Sequence, residues 1–507
     1  MTDQAAARDT APPRTWRLAA PAGGLGALFA LGQAPYDLWP VALAALIAQV
    51  WLLRRIAVPA RARAAAWTGW AFGAGYFALG MHWIVEPFFV EAAVTGWMAP
   101  FALVGLAAGL ALFWAAPAWA AARAGSWALV VPLWALAELA RAYVLTGFPW
   151  GLVGYVWTPS PGAQWAAILG PHGLTLAALG LAALAASAVA RRSVLRGAGA
   201  LVLVVAMLGG GLLLRPAPGD LSDRPVVRLV QPNAPQDEKW RPELIPMFFQ
   251  RQMAATEAEP QPDLVLWSET ALPMMLDNAD EAFSIMSEAA GDVPLVVGLQ
   301  REEGGRYYNS AAVLGPGGAV QDVYDKHHLV PFGEYMPAAW LFRHINVSGL
   351  AARAEGGYSA GPGPRLLDLG ALGQALPLIC YEAVFPQDVN GAPARPDVLV
   401  NLTNDAWFGT WSGPYQHLAQ ARMRAIEQGL PMLRAANTGI SAVIDPGGRV
   451  LAELPLGEAG HIDHALPLPA ERTFYSHTGD LPALLAMLAL ALATALWHIV
   501  MRGRVRP

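Results

Sequence analysis

The chain has 507 residues, of which 55% are hydrophobic and 14% charged, with a mean hydropathy of +0.36, against about 25% charged in an average soluble domain. Its net charge of −5 gives no basis for nucleic-acid binding, and its single cysteine excludes an intramolecular disulfide and a multi-cysteine zinc site. The length allows more than one domain, and charge is spread unevenly. Residues 1–17 read as an N-terminal tail, 18–214 as a membrane bundle, 215–477 as a soluble domain of ordinary polarity, and 478–507 as a closing span with its tail.

A helix crossing the hydrocarbon core needs about 20 apolar residues. Seven candidates precede the soluble domain, at about 18–33, 35–53, 65–86, 95–121, 127–146, 163–190 and 194–214, and an eighth lies at about 481–501. Positive charge concentrates in cytoplasmic loops. Arg8, Arg14 and Arg17 precede the first candidate, and Arg54, Arg55, Arg61 and Arg63 follow the second. Arg123 follows the fourth, Arg191, Arg192 and Arg196 lie between the sixth and seventh, and Arg502, Arg504 and Arg506 follow the eighth. Eight spans put every cluster on one side and the soluble domain on the other. The outer loop GFPWGLVGYVW (147–157) is aromatic, which fits an interfacial belt of Trp and Tyr or a wall for a lipid substrate. Glu138 and Arg141, three apart on one helical face, read as a structural pair or an intramembrane functional group; His82 also lies in or near a span.

Strand-like runs recur through the soluble domain, at 226–230, 263–267, 294–298, 310–314, 375–379 and 397–401. Several are continuously apolar, as expected of strands covered on both faces. Helical stretches alternate with them. The clearest covers 416–428 and stops at Gly429. The sum is a layered α/β domain of about 250 residues.

Three polar residues follow such strands: Glu269, Lys326 and Cys380. Active-site groups in α/β sheets gather where strands end. A free thiol is mostly protonated at neutral pH, and its thiolate is the nucleophile. A carboxylate can take the thiol proton, and an ammonium can stabilise the thiolate and the oxyanion of a tetrahedral intermediate. Together the three suit acyl transfer through a thioester, although each alone reads as buried filler or a loop charge.

The segments around them, WSETALP (267–273), YDKHHLVPFGEYMP (324–337) and ICYEAVFP (379–386), resemble those of the nitrilase superfamily. With the flanking spans, they are most similar to the apolipoprotein N-acyltransferase family. NLTNDAWFG (401–409) and RAANTGI (434–440) extend the likeness. The resemblance implies a polytopic membrane bundle of about eight spans with an outer nitrilase-like αββα sandwich. It implies Glu269 as general base, Lys326 as oxyanion stabiliser and Cys380 as nucleophile. It makes Glu334, Tyr381 and Glu382 further active-site residues and places Trp240, in QDEKW (236–240), on an arm at the substrate entrance. It implies no metal and no cofactor. The acyl donor would be a phospholipid, typically phosphatidylethanolamine, and the acceptor the α-amino group of a diacylglyceryl-cysteine on an apolipoprotein. The chain would act as a monomer in the bacterial inner membrane, with its catalytic domain in the periplasm.

The alternative is a membrane-tethered amidase or nitrilase that passes the acyl group to water. One anchor would suffice for that role. A transporter would need polar residues along several spans, and these are almost entirely apolar.

Overall fold

A computed structural model describes residues 16–337 and 357–504. The arginines expected to mark the inner face at Arg8, Arg14 and Arg506 lie outside the described residues. The first half is helical: α1 (Trp16–Ala30), α2 (Trp39–Ile56), α3 (Ala62–Gly80), α4 (Ala99–Ala124), α5 (Val130–Tyr143), α6 (Ala166–Arg191) and α7 (Val194–Leu214). Among the described residues, five stretches are long and apolar enough to cross a membrane: Trp39–Ile56, Ala92–Ala124, Pro161–Arg191, Val194–Leu214 and Leu481–Arg502. The apolar helix Leu18–Ala30 is shorter. The segments expected at 65–86 and 127–146 are also cut short. The chain leaves α3 at Gly80 for a 3-10 stretch, His82–Phe89, containing Pro87, and α5 has 14 residues.

Small residues let these helices approach closely. A Cβ on Gly26 would lie 1.9 Å from the Phe72 carbonyl oxygen, and one on Gly75 would lie 2.0 Å from that of Gly23, so α1 and α3 touch backbone to backbone. Phe29, Phe72, Tyr76, Phe77, Trp114 and Trp134 fill the space beside them. Arginines from separate turns meet at one end of the bundle. Arg54 senses the charges of Arg191 and Arg196, and Arg502 lies against Gly125, two residues after Arg123.

Glu138 and Arg141 form a buried ion pair at 3.0 Å. Glu138 also accepts from Trp114 Nε1 (2.8 Å) and the Val153 N–H (3.0 Å), while Arg141 donates to the Trp150 carbonyl (2.9 Å). Their work is to pin the 147–157 loop. That loop departs from the interfacial-belt expectation: Trp150 and Trp157 are 1% and 0% exposed, enclosed by protein.

Among the described residues, the second half of the chain forms two six-stranded sheets. One runs β12-β1-β2-β3-β4-β5 and the other β11-β10-β9-β8-β7-β6. In the first are β1 (Val226–Gln231), β2 (Leu264–Leu266), β3 (Leu295–Glu303), β4 (Arg306–Leu314), β5 (Val320–Asp325) and β12 (Gly460–Ala465). In the second are β6 (Leu367–Asp368), β7 (Gln374–Ile379), β8 (Val398–Thr403), β9 (Met432–Ala436), β10 (Ser441–Ile444) and β11 (Val450–Leu454). Strands β1, β2 and β3 are parallel, as are β7, β8 and β9.

Alternation sorts each strand between two cores. Leu264, Leu266, Val398, Val400 and Leu402 meet between the sheets. Val265 and Trp267 pack instead with Met253, Phe283 and Met286 of α8 (Ile245–Glu257) and α9 (Asp280–Ala289). Leu399 packs with Leu418, Ala421 and Ala425 of α10 (Gly413–Gln428), which ends at Gly429 with φ 64°. The layers are therefore α-β-β-α, and burial on both faces explains the unbroken apolar runs. Helix α11 (Leu481–Arg504) leads back beside α5 and α6.

Candidate active site

Glu269, Lys326 and Cys380 each stand just past a strand, after β2, β5 and β7. The adjacent sheets bring these strand ends to one buried place, where the three residues are 7%, 1% and 4% exposed. Lys326 Nζ lies 3.6 Å from Glu269 Oε1 and 2.9 Å from Glu334. The thiol feels the charges of both Glu269 and Lys326.

Each group has a defined support. Glu269 Oε1 accepts from Asn309 Nδ2 (2.7 Å) and Oε2 from the Asn404 N–H (2.8 Å). Asn309 Nδ2 also reaches Glu334 Oε1 at 3.1 Å, so one amide aligns two carboxylates. Lys239 Nζ holds the Glu269 carbonyl (3.1 Å) and Thr270 Oγ1 (2.9 Å). Gly298, on neighbouring β3, leaves room for this turn: a Cβ there would fall 2.3 Å from the Ser268 oxygen and 2.7 Å from the Glu269 Cα.

Cys380 has φ 51°, in the left-handed region that a β-carbon disfavours. Such strain, of order 1–3 kcal/mol, persists only where its surroundings over-determine it. Here His417 Nε2 donates to the Cys380 carbonyl at 3.1 Å, and His417 Nδ1 lies 2.8 Å from Asp405. Arg434 pairs with the other Asp405 oxygen. This ion-paired cluster underlies the turn that carries Cys380. Burial pushes the Cys380 thiol well up and Glu269 adds to the rise, against the downward pull of Lys326. Burial raises Glu269 too, opposed by Lys326. Burial works against the Lys326 charge, but Glu334, Glu269 and Cys380 hold it well above its ordinary value. Burial and the neighbouring charges thus favour the protonated thiol and the charged Lys326, beside a carboxylate of raised pKa.

Glu382, expected in the active site, points elsewhere and is fully buried. Its Oε1 accepts from Tyr324 Oη (2.7 Å) and the N–H groups of His327 (2.8 Å) and His328 (3.2 Å); its Oε2 accepts from the Ile379 N–H (2.7 Å). One carboxylate thus ties the loop after Lys326 to the turn that carries Cys380. Burial opposes a charge on His327, but Asp388 and Glu382 beside it push its pKa up to about 10. Tyr381 is buried with its ring edge-on to Phe385 and His328. Trp240 is 41% exposed, 5.3 Å from Lys239 Nζ, and lines a small pocket with Phe248, Thr270 and Asn437. Lys239 thus contacts both Trp240 and the backbone of Glu269.

The bundle closes over this region. Gln416 Oε1 accepts from Trp83 Nε1 (3.1 Å) and Trp150 Nε1 (2.8 Å), and its Nε2 donates to the Gly80 carbonyl (3.0 Å). Trp150 also stacks on His417 with centroids 5.7 Å apart. Asn309, Lys239, Gly298, Asp405 and His417 are supports that reading the residues did not single out. Asp405 and Arg434 lay within segments noted for their resemblance, without an assigned role.

Two family models match the chain: the apolipoprotein N-acyltransferase N-terminal domain over 25–184 and carbon-nitrogen hydrolase over 227–474. The apolipoprotein N-acyltransferase of Rhodopseudomonas palustris is 39% identical, with 96% of each chain aligned. The chain belongs to the apolipoprotein N-acyltransferase family. The family's Caulobacter vibrioides protein is also 39% identical, over 97% of this chain and 96% of its own. A solved amidase from Nesterenkonia sp. aligns at 22% identity and TM-score 0.36, over 50% of this chain and 93% of that one. The family sets an acyltransferase carrying a carbon-nitrogen hydrolase domain beside a membrane region of several apolar helices.

Proposed function

We propose that this protein acylates the α-amino group of diacylglyceryl-cysteine on apolipoproteins, taking the acyl chain from a membrane phospholipid through a thioester on Cys380. The observation that carries the reading is the buried thiol on a strained turn, within electrostatic reach of Glu269 and Lys326, directly beneath outer loops of the bundle. In the first step the sulfur attacks the ester carbonyl, and Glu269 takes the thiol proton. Lys326, held by Glu334, stabilises the oxyanion. The C–O bond then breaks, and Glu269 returns the proton to the leaving lysolipid oxygen. In the second step the amine attacks the thioester, a C–N bond forms, the C–S bond breaks, and Glu269 moves the proton from nitrogen to sulfur. One site serves both half-reactions, so the kinetics are ping-pong.

Phosphatidylethanolamine is the proposed donor, and Trp240 the proposed gate. The proposed topology has eight spans with a catalytic domain, 215–477, on the outer face of the bacterial inner membrane. The meeting of Arg54, Arg191 and Arg196 at one end supports it, because positive loops stay inside. Both substrates are lipid-anchored, which accounts for a reaction centre roofed by bundle loops. The amidase alternative lacks this support: the matched relatives with near-complete coverage bear the acyltransferase name.

Mass spectrometry tests the reading. Purified enzyme mixed with phospholipid in micelles should gain one fatty-acyl mass on the peptide containing Cys380, with lysolipid released, and should lose it when a diacylglyceryl-cysteine peptide is added. Absence of the adduct together with rapid hydrolysis of small amides would overturn the proposal in favour of the hydrolase.

A further inference from the structure

A cavity of about 280 Å³ lies between the 33–37 turn, which joins α1 to α2, and helix α10 of the soluble domain. It is many times the volume of one water molecule. Its lining includes Gln33, Asp37, Thr158, Gln420 and Arg422. Gln33 and Gln420 are 7% and 2% exposed. Gln33 Nε2, Gln420 Oε1 and Thr158 Oγ1 are all buried with no hydrogen-bond partner. Buried polar groups are nearly always partnered, so three orphans around one cavity point to a polar occupant.

The charges narrow its chemistry. Asp37 and Arg422 sense each other across the cavity without closing into a salt bridge. Arg422 Nε is committed to the Gly448 carbonyl at 2.9 Å, which leaves the guanidinium tip for a ligand. A carboxylate facing a guanidinium across a gap fits a molecule bearing one positive and one negative group. The turn sits at the end of the bundle that meets the soluble domain, which in the topology proposed above is the level of the lipid headgroups.

We infer that this cavity binds the zwitterionic headgroup of a membrane phospholipid, with its phosphate toward Arg422 and its ammonium toward Asp37, at a site separate from the thiol. The separation follows from α10. His417 faces the Cys380 carbonyl, whereas Gln420 and Arg422, further along the helix, line the cavity.

The test is native mass spectrometry of the full chain released from nanodiscs containing phosphatidylethanolamine, comparing wild type with Asp37→Asn and Gln420→Leu. Asp37 has φ 55°, which asparagine tolerates, so the first variant removes charge without straining the turn. The expected result is one fewer retained phosphatidylethanolamine in each variant, and wild-type preference of about tenfold over phosphatidylglycerol, which lacks the ammonium. Acyl-enzyme on Cys380, read in the same spectra, should be unchanged. Free phosphoethanolamine, the soluble carrier of the same chemistry, should displace the lipid only at far higher concentration. Equal lipid counts in all three proteins would mean water alone fills the cavity, and binding of free phosphoethanolamine with no lipid retained would remove the membrane source; either overturns the inference. A parallel fall in acyl-enzyme would also overturn it, by merging the cavity with the donor path. Absence of acyl-enzyme in wild type is a different result and bears on the proposed reaction alone.

Discussion

Gly298 faces Glu269 so closely that its α-hydrogen is the largest substituent the contact allows; a β-carbon would stand 2.7 Å from the Glu269 Cα. The proposed general base owes its position to an atom missing from the next strand. Gly298→Ala must therefore displace the Glu269 turn. A displacement of about 1 Å costs on the order of 100-fold in rate. The expected outcome is a loss of that size in acyl-enzyme formation with an unchanged circular dichroism spectrum. Near wild-type rates would show that the turn adjusts without moving the carboxylate.

The thiol and the carboxylate are both raised by burial, and this sets the pH dependence. In the proposed mechanism the reactive form pairs ionised Glu269 with neutral Cys380. Because Glu269 is raised, its ionisation occurs above the ordinary carboxylate range, and activity should climb with pH through that shifted value. Because the thiol is raised as well, no second climb should occur near the ordinary thiol range. Single-turnover acylation measured from acid to mildly alkaline pH checks this, and a main climb at thiol pH would transfer the controlling proton to Cys380.

Lys326 and Glu334 are 2.9 Å apart, and removing each should differ in kind. Lys326→Met deletes the proposed oxyanion donor, for which about 100- to 1,000-fold is the expected fall in acylation rate. Glu334→Gln leaves the ammonium in place but takes away the strongest force holding it charged. The expected result is a smaller fall, with an alkaline limb moved to lower pH as Lys326 deprotonates more easily. Pre-steady-state acylation of both variants across pH separates the two.

Glu382 accepts four hydrogen bonds from Tyr324, His327, His328 and Ile379. In Glu382→Gln an amide nitrogen must face at least one of these donors. Leaving a buried donor unmet costs about 1–3 kcal/mol, so the variant should show a lower thermal midpoint as well as weaker acylation. An unchanged midpoint with lost activity would mean that Glu382 meets substrate directly.

Much of the soluble domain could be read from residue order because its strands are buried on both faces. Runs such as 263–267 and 397–401 carry that burial as unbroken apolar stretches, and Gly429 marks the end of α10 in the sequence and in its backbone angle alike. Polar residues just past those runs drew notice to Glu269, Lys326 and Cys380. Their supports were hidden because each acts across the sheets. Asn309 sits inside β4 as an ordinary strand residue, and only the register of β3, β4 and β5 brings it to Glu269 and Glu334. Trp150 misled for another reason: an indole at a membrane surface and one sealed against a second domain look the same in composition, and only its bond to Gln416 separates them.

The Gln416 side chain, clasped by Trp83, Trp150 and the Gly80 carbonyl, acts as a rivet. In the topology proposed above, it would hold the sulfur at a set height over the bilayer. On that proposal, an acyl chain rooted in the membrane would have less distance to cover to the sulfur than a soluble ester.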